Sequence, residues 1–398
     1  MQNNITQFRT KQTAQQVTKQ PKAAAPQKDH AYFDYTFFLV MLILIGFGLV
    51  MVYSASYYEG MQVHGDAMHF LKRQALAVVI GFVGMAVVWV IPHSAYRRLG
   101  FLPYIACIAV ILLVIPFGVE ANGARRWIDI GPVSFQAVEP VKVGLIVFLA
   151  NFVYAFRKRI NTLYSAAIMV GSTGFLAVLI LKITDNMSSA LILCAIAGVM
   201  LFVANKDYKW FVILAAGAVA AAAGYIMFLL NSSETAGFRS DRILAWLDLE
   251  AYAQGKGYQT LQSLYAIGSG GIWGKGLCQS IQKLNFLPEA QNDMIFSIIC
   301  EELGLFGGIC VIVLFGILIW RMVIIATHAP DLHGAMLVVG VIAHIAVQVI
   351  LNIAVVTSTI PNTGISLPFI SYGGTSISFL ICEMGLVMSV ARSIRVRK

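Results

Sequence analysis

Charge is what this chain has least of. Asp, Glu, Lys and Arg together make up 12% of its 398 residues, about half the share of a soluble globular protein. That scarcity excludes the two or three water-soluble domains that length alone would allow. The polar N-terminus lacks an apolar h-region followed by a cleavage site, so it does not read as a secretory signal peptide. The six cysteines (Cys107, Cys194, Cys278, Cys300, Cys310, Cys382) form no C-x-x-C pair and no zinc spacing, which argues against a disulfide framework and a zinc module. No H-E-x-x-H, Walker, dinucleotide or Ser-His-Asp pattern stands in a suitable setting. An inverted internal repeat, the hallmark of many transporters, is also missing.

What the chain has instead is hydrophobicity, at 59% of residues. It falls into runs of the length needed to cross a bilayer. The reading is an all-α polytopic membrane protein with about ten transmembrane helices. They are expected near Tyr35–Ser56, Leu71–Ile91, Phe101–Phe117, Glu139–Phe156, Leu163–Lys182, Ser188–Ala204, Trp210–Leu230, Met294–Ile325, His333–Val356 and Phe369–Val390. Residues 1–34 read as a disordered basic tail, 35–391 as the membrane domain and 392–398 as a second basic tail.

The formal charge of +9 lies in tails and short loops, which points to membrane topology and not to nucleic acid. Arg97–Arg98, Arg157–Arg159, Lys206 with Lys209, Arg321 and Arg392–Lys398 fall on one side with the N-terminal tail. The positive-inside rule then makes both termini cytoplasmic and residues 231–293 a large external loop between spans seven and eight. Lys72–Arg73 and Arg125–Arg126 fall outside, as positive charges that topology does not explain.

Several polar residues stand where lipid makes them costly. Asp293, in P-E-A-Q-N-D-M-I-F, is either the cap of the eighth span or a carboxylate able to take a proton from a substrate hydroxyl. Glu289 lies four residues earlier, close enough in sequence to share that site. Glu301 and Glu302 read equally as acids paired with a basic residue on another helix and as substrate contacts. Gly304, Gly307 and Gly308 permit close helix approach. In N-G-A-R-R-W, Arg125 and Arg126 offer planar forks suited to phosphate, or anchor the interface beside Trp127. Glu139 and Lys142 are i, i+3 neighbours, hence an ion pair, with a cavity or anionic headgroup near Lys142. His344, Gln348 and Asn352 form one polar stripe, assigned with Glu383 to interhelical hydrogen bonding. Asn362–Ser376, with Pro361, Pro368 and Gly373–Gly374, reads as irregular backbone walling a polar pocket beside Ser371 and Tyr372. Gly268–Gly271 reads as a flexible loop.

Taken in order, N-G-A-R-R-W-I, Q-x-x-E-x-x-K, Gly255–Ser263, F-L-P-E-A-Q-N-D-M-I-F, E-E-L-G and L-P-F-I-S-Y-G-G-T-S resemble the SEDS family (shape, elongation, division and sporulation proteins). The likeness runs from about Tyr35 to Arg397, and Q-S-I-Q-K-L-N-F-L-P-E-A-Q-N-D is more similar to the FtsW branch than to RodA. Asp248-Leu249-Glu250 departs from a common D-P-E, and Cys278 from a common Gly.

The resemblance implies a peptidoglycan glycosyltransferase that polymerises lipid II outside the bacterial cytoplasmic membrane during cell division. Its partners would be lipid II, undecaprenyl-linked glycan, a class B penicillin-binding protein as transpeptidase, and other division proteins. It implies Asp293 as the catalytic acid, Arg125 and Arg126 as the basic loop, Glu139 and Lys142 as the intramembrane pair, and Ser371 as the pocket serine. The expected chemistry is inverting, with Asp293 as general base. Arginines, with room for a divalent cation (Mg2+ or Mn2+) though no cofactor motif is present, would face the diphosphate. The rival readings are a lipid II flippase recruiting Glu301, Lys142 and His344, and a membrane scaffold of the division machinery.

Overall fold

Asp34 starts the first span by accepting a hydrogen bond from the Phe37 amide at 2.9 Å, a side-chain cap for an otherwise unsatisfied donor. In the computed structural model, which describes residues 30–121, 124–130, 133–205, 238–255 and 257–396 with isolated positions between 209 and 227, that helix is α1 (Tyr35–His64). It is followed by α2 (His69–Val90), α3 (His93–Arg98), α4 (Leu102–Phe117), α5 (Val138–Ala155), α6 (Leu163–Ile183) and α7 (Met187–Ala204). Then come α8 (Phe238–Leu247), α9 (Tyr258–Gly270), α10 (Ile295–Thr327), α11 (Leu332–Val356) and α12 (Thr375–Ala391). Helices α1, α2, α5, α6, α7, α10 and α11 are long and apolar enough to cross a membrane, and α4 and α12 are shorter apolar helices. These account for nine of the ten expected spans. The tenth, Trp210–Leu230, lies outside the described residues apart from isolated positions.

Two boundaries differ from expectation for local reasons. The first helix runs beyond Ser56 to His64, where Gly65 ends it at φ 67°, a left-handed stop that glycine adopts without strain. The last helix starts at Thr375, not Phe369, because the preceding turn passes through positive φ at Phe369 and Gly374. At the centre, α11 packs against α5, α7, α10 and α12. Apolar side chains such as Leu76, Val79 and Val83 on α2 stay exposed, as lipid-facing positions must.

Of the charges assigned to one side, Arg97, Arg157 and Arg321 gather at one end. Arg321 holds Asp34 at 2.7 Å, Arg97 holds Asp331 at 3.0 Å, and Arg157 lies 4.6 Å from the centre of the Tyr154 ring. Strands β1 (His30–Ala31) and β5 (Arg395–Val396) pair there, joining the two terminal segments. Arg126 is bound beyond the far end of α6, about 30 Å away at 1.5 Å per residue.

The arginine loop holds a sheet that hydrophobic periodicity did not reveal. Strands β2 (Gly118–Ala121), β3 (Ala124–Ile130) and β4 (Val133–Gln136) form an antiparallel meander. Val119 pairs with Trp127 but Glu120 pairs with Arg125, so Arg126 is the extra residue of a bulge. Such a bulge re-aims a side chain, and Arg126 turns onto the carbonyls of Thr184 (3.1 Å) and Asp185 (3.0 Å).

A second unexpected feature sits in α10. Gly304 breaks the helix at φ 69°, ψ −171°, a conformation essentially confined to glycine. The segment after α9 fills the break with backbone: Lys275 and Gly276 amides donate to the carbonyls of Glu301 (3.0 Å) and Glu302 (2.9 Å), while Leu305 and Phe306 amides donate to those of Gly271 (2.9 Å) and Ile272 (3.1 Å). Irregular backbone is tolerated at this depth because protein satisfies it. Gly268–Gly271 is therefore the end of α9 and part of a docked segment, not a flexible loop. The two acids hold the same segment. Lys275 pairs with Glu301 at 2.7 Å, Lys283 pairs with Glu302 at 2.6 Å, and Ser54 of α1 donates to Glu302 at 2.7 Å. Both acids are thus paired, with lysines of the docked loop and not with another span.

Candidate active site

Met294, not Asp293, is the N-terminal flank of α10, and that helix has no side-chain cap. The capping role weighed for Asp293 is therefore not the one it plays. Its main chain is pinned instead: the Asn352 side chain donates to the carbonyls of Asp293 and Ile365, both at 2.7 Å. The polar stripe on α11 thus divides its labour. His344 meets Glu383 of α12 at 2.8 Å, the interhelical contact expected, while Asn352 ties the Asp293 loop to the turn before α12.

The Asp293 carboxylate receives the Gln259 amide at 3.4 Å. Gln259 lies one turn from Ser263 on α9, so both share a face. Ser263 docks that face, 2.6 Å from the Ser297 hydroxyl and donating to the Val356 carbonyl at 2.8 Å. Gln259 also accepts from the Asn362 amide at 2.8 Å and donates to the Pro288 carbonyl at 3.2 Å. One side chain therefore spans three segments that are far apart in sequence.

Asp293 is only partly screened from solvent, yet enough protein packs around its carboxyl to push it up to about 7. Burial is the main cause, the negative charge of Glu289 adds to it, and Arg242 and the Gln259 hydrogen bond act in the opposite direction. Glu289 itself is exposed, sits at φ 55° and accepts from the Asn292 side chain. Arg242, on α8, has its pKa lowered by burial and by the positive charge of Arg126, with Asp293 opposing. Two guanidiniums thus lie within electrostatic reach of one another and one of them within reach of the acid. Arg242 also donates to the Asn362 carbonyl at 3.4 Å.

The structure brings together Asp293, Glu289 and, through Arg242, Arg126. The other expected site residues stand further back. Arg125 is exposed, on the β3 position next to the bulge. Glu139 and Lys142 are buried and 2.9 Å apart, a close charge pair behind the sheet, where the Ala137 amide donates to the Arg126 carbonyl at 3.3 Å. Ser371 accepts from the Leu367 amide at 2.7 Å, closing the turn before α12. The Tyr372 amide donates to the Gln291 carbonyl at 2.8 Å, and its ring meets Phe70 edge-on. Tyr372 thus holds this wall against the loop that carries Asp293.

Among the described residues no group of three or more His, Cys, Asp or Glu side chains could hold a metal ion. Asp293 has Glu289, Arg242 and Gln259 as neighbours: one further carboxylate, one cation and one amide. Sequence reading assigned no role to Arg242, Gln259 or Asn362. The only signal was their position inside the polar segments already singled out.

The family model described as cell cycle protein, for FtsW, RodA and SpoVE, matches residues 34–396. Stage V sporulation protein E of Bacillus subtilis is 37% identical over 361 residues, covering 90% of this chain and 97% of its own length. The probable peptidoglycan glycosyltransferase FtsW of Trichlorobacter lovleyi is 36% identical over 373 residues, with coverage of 92% and 94%. Two solved structures share the fold. A chain from a peptidoglycan synthase complex studied for the coordination of polymerization and crosslinking aligns at TM-score 0.74 and 24% identity, covering 92% of this chain and 98% of that one. The rod shape determining protein RodA of Thermus thermophilus aligns at TM-score 0.66 and 24% identity, with the same coverage.

Proposed function

The chain belongs to the FtsW/RodA/SpoVE family of cell cycle proteins, and from that membership we propose that it is a peptidoglycan glycosyltransferase that polymerises lipid II outside the cytoplasmic membrane. The observation that carries the reading is Asp293: a carboxyl brought to about 7, held by Gln259 at 3.4 Å and not used as a helix cap. A general base works best with a pKa near the operating pH.

In the proposed step Asp293 takes the proton of the acceptor sugar 4-hydroxyl. The freed oxygen forms a bond to the anomeric carbon of the donor chain from the face opposite the leaving group. The anomeric carbon–oxygen bond to the diphosphate breaks, and undecaprenyl diphosphate departs with the electron pair. Arg126 and Arg242 face the charge that develops there; fixed cations in a poorly hydrated site stabilise such charge strongly. Glu289 keeps the Asp293 carboxyl high, and Glu139–Lys142, Ser371 and Tyr372 hold the walls. The protein acts at the inner membrane with both termini cytoplasmic, beside a class B penicillin-binding protein and other division proteins.

A flippase would need polar groups free to line a path through the bilayer. Glu301 and His344, recruited for that reading, are bound to Lys275 and Glu383, and Lys142 to Glu139, which favours the transferase. Lipid II polymerisation by the purified chain, alone and with its class B partner, tests the choice. Glycan polymer is expected from the complex. Headgroup transfer across vesicles without polymer would overturn it.

A further inference from the structure

Beside Asp293 lies a cavity that the reaction above leaves unassigned. Arg242, Trp246, Tyr258, Gln259, Pro288 and Asn362 line it, and its volume is about 220 Å³. Pockets for drug-sized ligands occupy roughly 300–1,000 Å³, so this one admits a single ring and its substituents, not a whole disaccharide diphosphate. We propose that it is the acceptor subsite, taking the terminal N-acetylhexosamine ring whose hydroxyl is to be activated; the proposal rests on the glycosyltransferase reading.

The wall chemistry fits a neutral sugar. A pyranose has an apolar C–H face, and Trp246 and Tyr258 offer aromatic surface for it. The indole is held in place, because its N–H donates to the Ser358 carbonyl at 2.8 Å. Hydroxyl and acetamido groups need donors and acceptors in fixed positions. The Gln259 N–H groups go to Pro288 and Asp293, which leaves the second Asn362 N–H and the open lone pairs of the two amide oxygens, held by the 2.8 Å bond between these side chains,. Among the described residues Arg242 is the one cation that lines it. A diphosphate, with more than one negative charge, is better served where Arg126 joins it.

Position argues for acceptor over donor. Gln259 lines the cavity and reaches the Asp293 carboxylate at 3.4 Å, so a ring seated there directs a hydroxyl at the base. General-base catalysis requires that contact, a heavy-atom separation of about 2.6–3.2 Å in the reacting complex. The anomeric carbon of the donor needs no such contact. Trp246 and Tyr258 are thus assigned the acceptor's grip, and Gln259 its alignment with the base.

The test separates donor from acceptor in the purified complex with the class B partner. A lipid II whose terminal 4-hydroxyl is capped serves only as donor, and unmodified lipid II is titrated as acceptor; the capped coupling product is counted. Trp246→Ala is expected to raise the acceptor KM about tenfold, with the donor KM unchanged. Trp246→Phe keeps the ring and should stay within about threefold of wild type by the same reasoning. Should Trp246→Ala not purify as a monodisperse complex, Tyr258→Leu carries the same expectation. An unchanged acceptor KM, a rise confined to the donor, or equal damage from Phe and Ala would each overturn the assignment. A wild-type complex that makes no product would instead remove the glycosyltransferase reading beneath it.

Discussion

Asp293 must be ionised to accept a proton, and burial together with Glu289 brings its carboxyl to about 7. Polymerisation is therefore expected to rise with pH through about 7 and level off above it. Glu289→Gln removes a like charge, so the rising limb should move to lower pH; Arg242→Gln removes an opposing cation, so it should move higher. Initial rates from pH 5.5 to 9 check both directions, and a limb that neither variant moves contradicts the electrostatic picture. The same shift has a sign for stability. A raised carboxyl pKa contributes stability below the unfolded value, and this is lost as pH rises through about 7,. Asp293→Asn should accordingly raise the Tm at pH 8 more than at pH 4. At this scale the acid was legible, because a carboxylate at the mouth of a span stands out. Gln259 and Asn362 were not, since neutral amides 103 positions apart leave no pattern until the chain has folded.

The segment after α9 is docked into α10 at the Gly304 break. Lys283 and Glu302 are both fully buried and 2.6 Å apart. Removing one partner of a buried ion pair costs about 3–5 kcal/mol, whereas replacing both with apolar residues is far milder. Lys283→Met should thus lower the Tm sharply, and Lys283→Met with Glu302→Leu should recover much of the loss; equal damage from single and double variants would argue against a paired role. Gly304→Ala puts a Cβ 2.3 Å from the Ile272 carbonyl oxygen in a conformation that costs a side chain about 1–3 kcal/mol. It should destabilise the protein and reduce activity together, read by Tm and polymerisation on one preparation. The spans were legible because lipid demands long apolar runs. The break at Gly304 was hidden, since a glycine among Gly307 and Gly308 reads as close helix packing. The sheet around Arg126 was hidden too, because the bulge at Arg126 breaks the alternation of its seven-residue central strand,.

Across the described residues, Arg97, Arg157 and Arg321 lie at one end and the Asp293 assembly lies at the other. Loop charge alone predicted that division, and the contacts of Arg97, Arg157 and Arg321 follow it. A cysteine at exposed Glu289 should react with a membrane-impermeant thiol reagent in intact cells, while one in the 392–398 tail should react only after lysis; the reverse pattern would invert the orientation. In the proposed reaction one carboxylate, set by α9, α11 and the turn before α12, activates the acceptor. Lipid II polymerisation by the purified complex of the chain with its class B partner, comparing wild type with Asp293→Asn, tests it most directly. Asn keeps the shape and removes the base, and loss of a general base costs roughly 10²–10⁴ in rate. The predicted result is polymer from wild type and none above background from Asp293→Asn in an equally stable complex. Near-normal polymerisation by Asp293→Asn would contradict it.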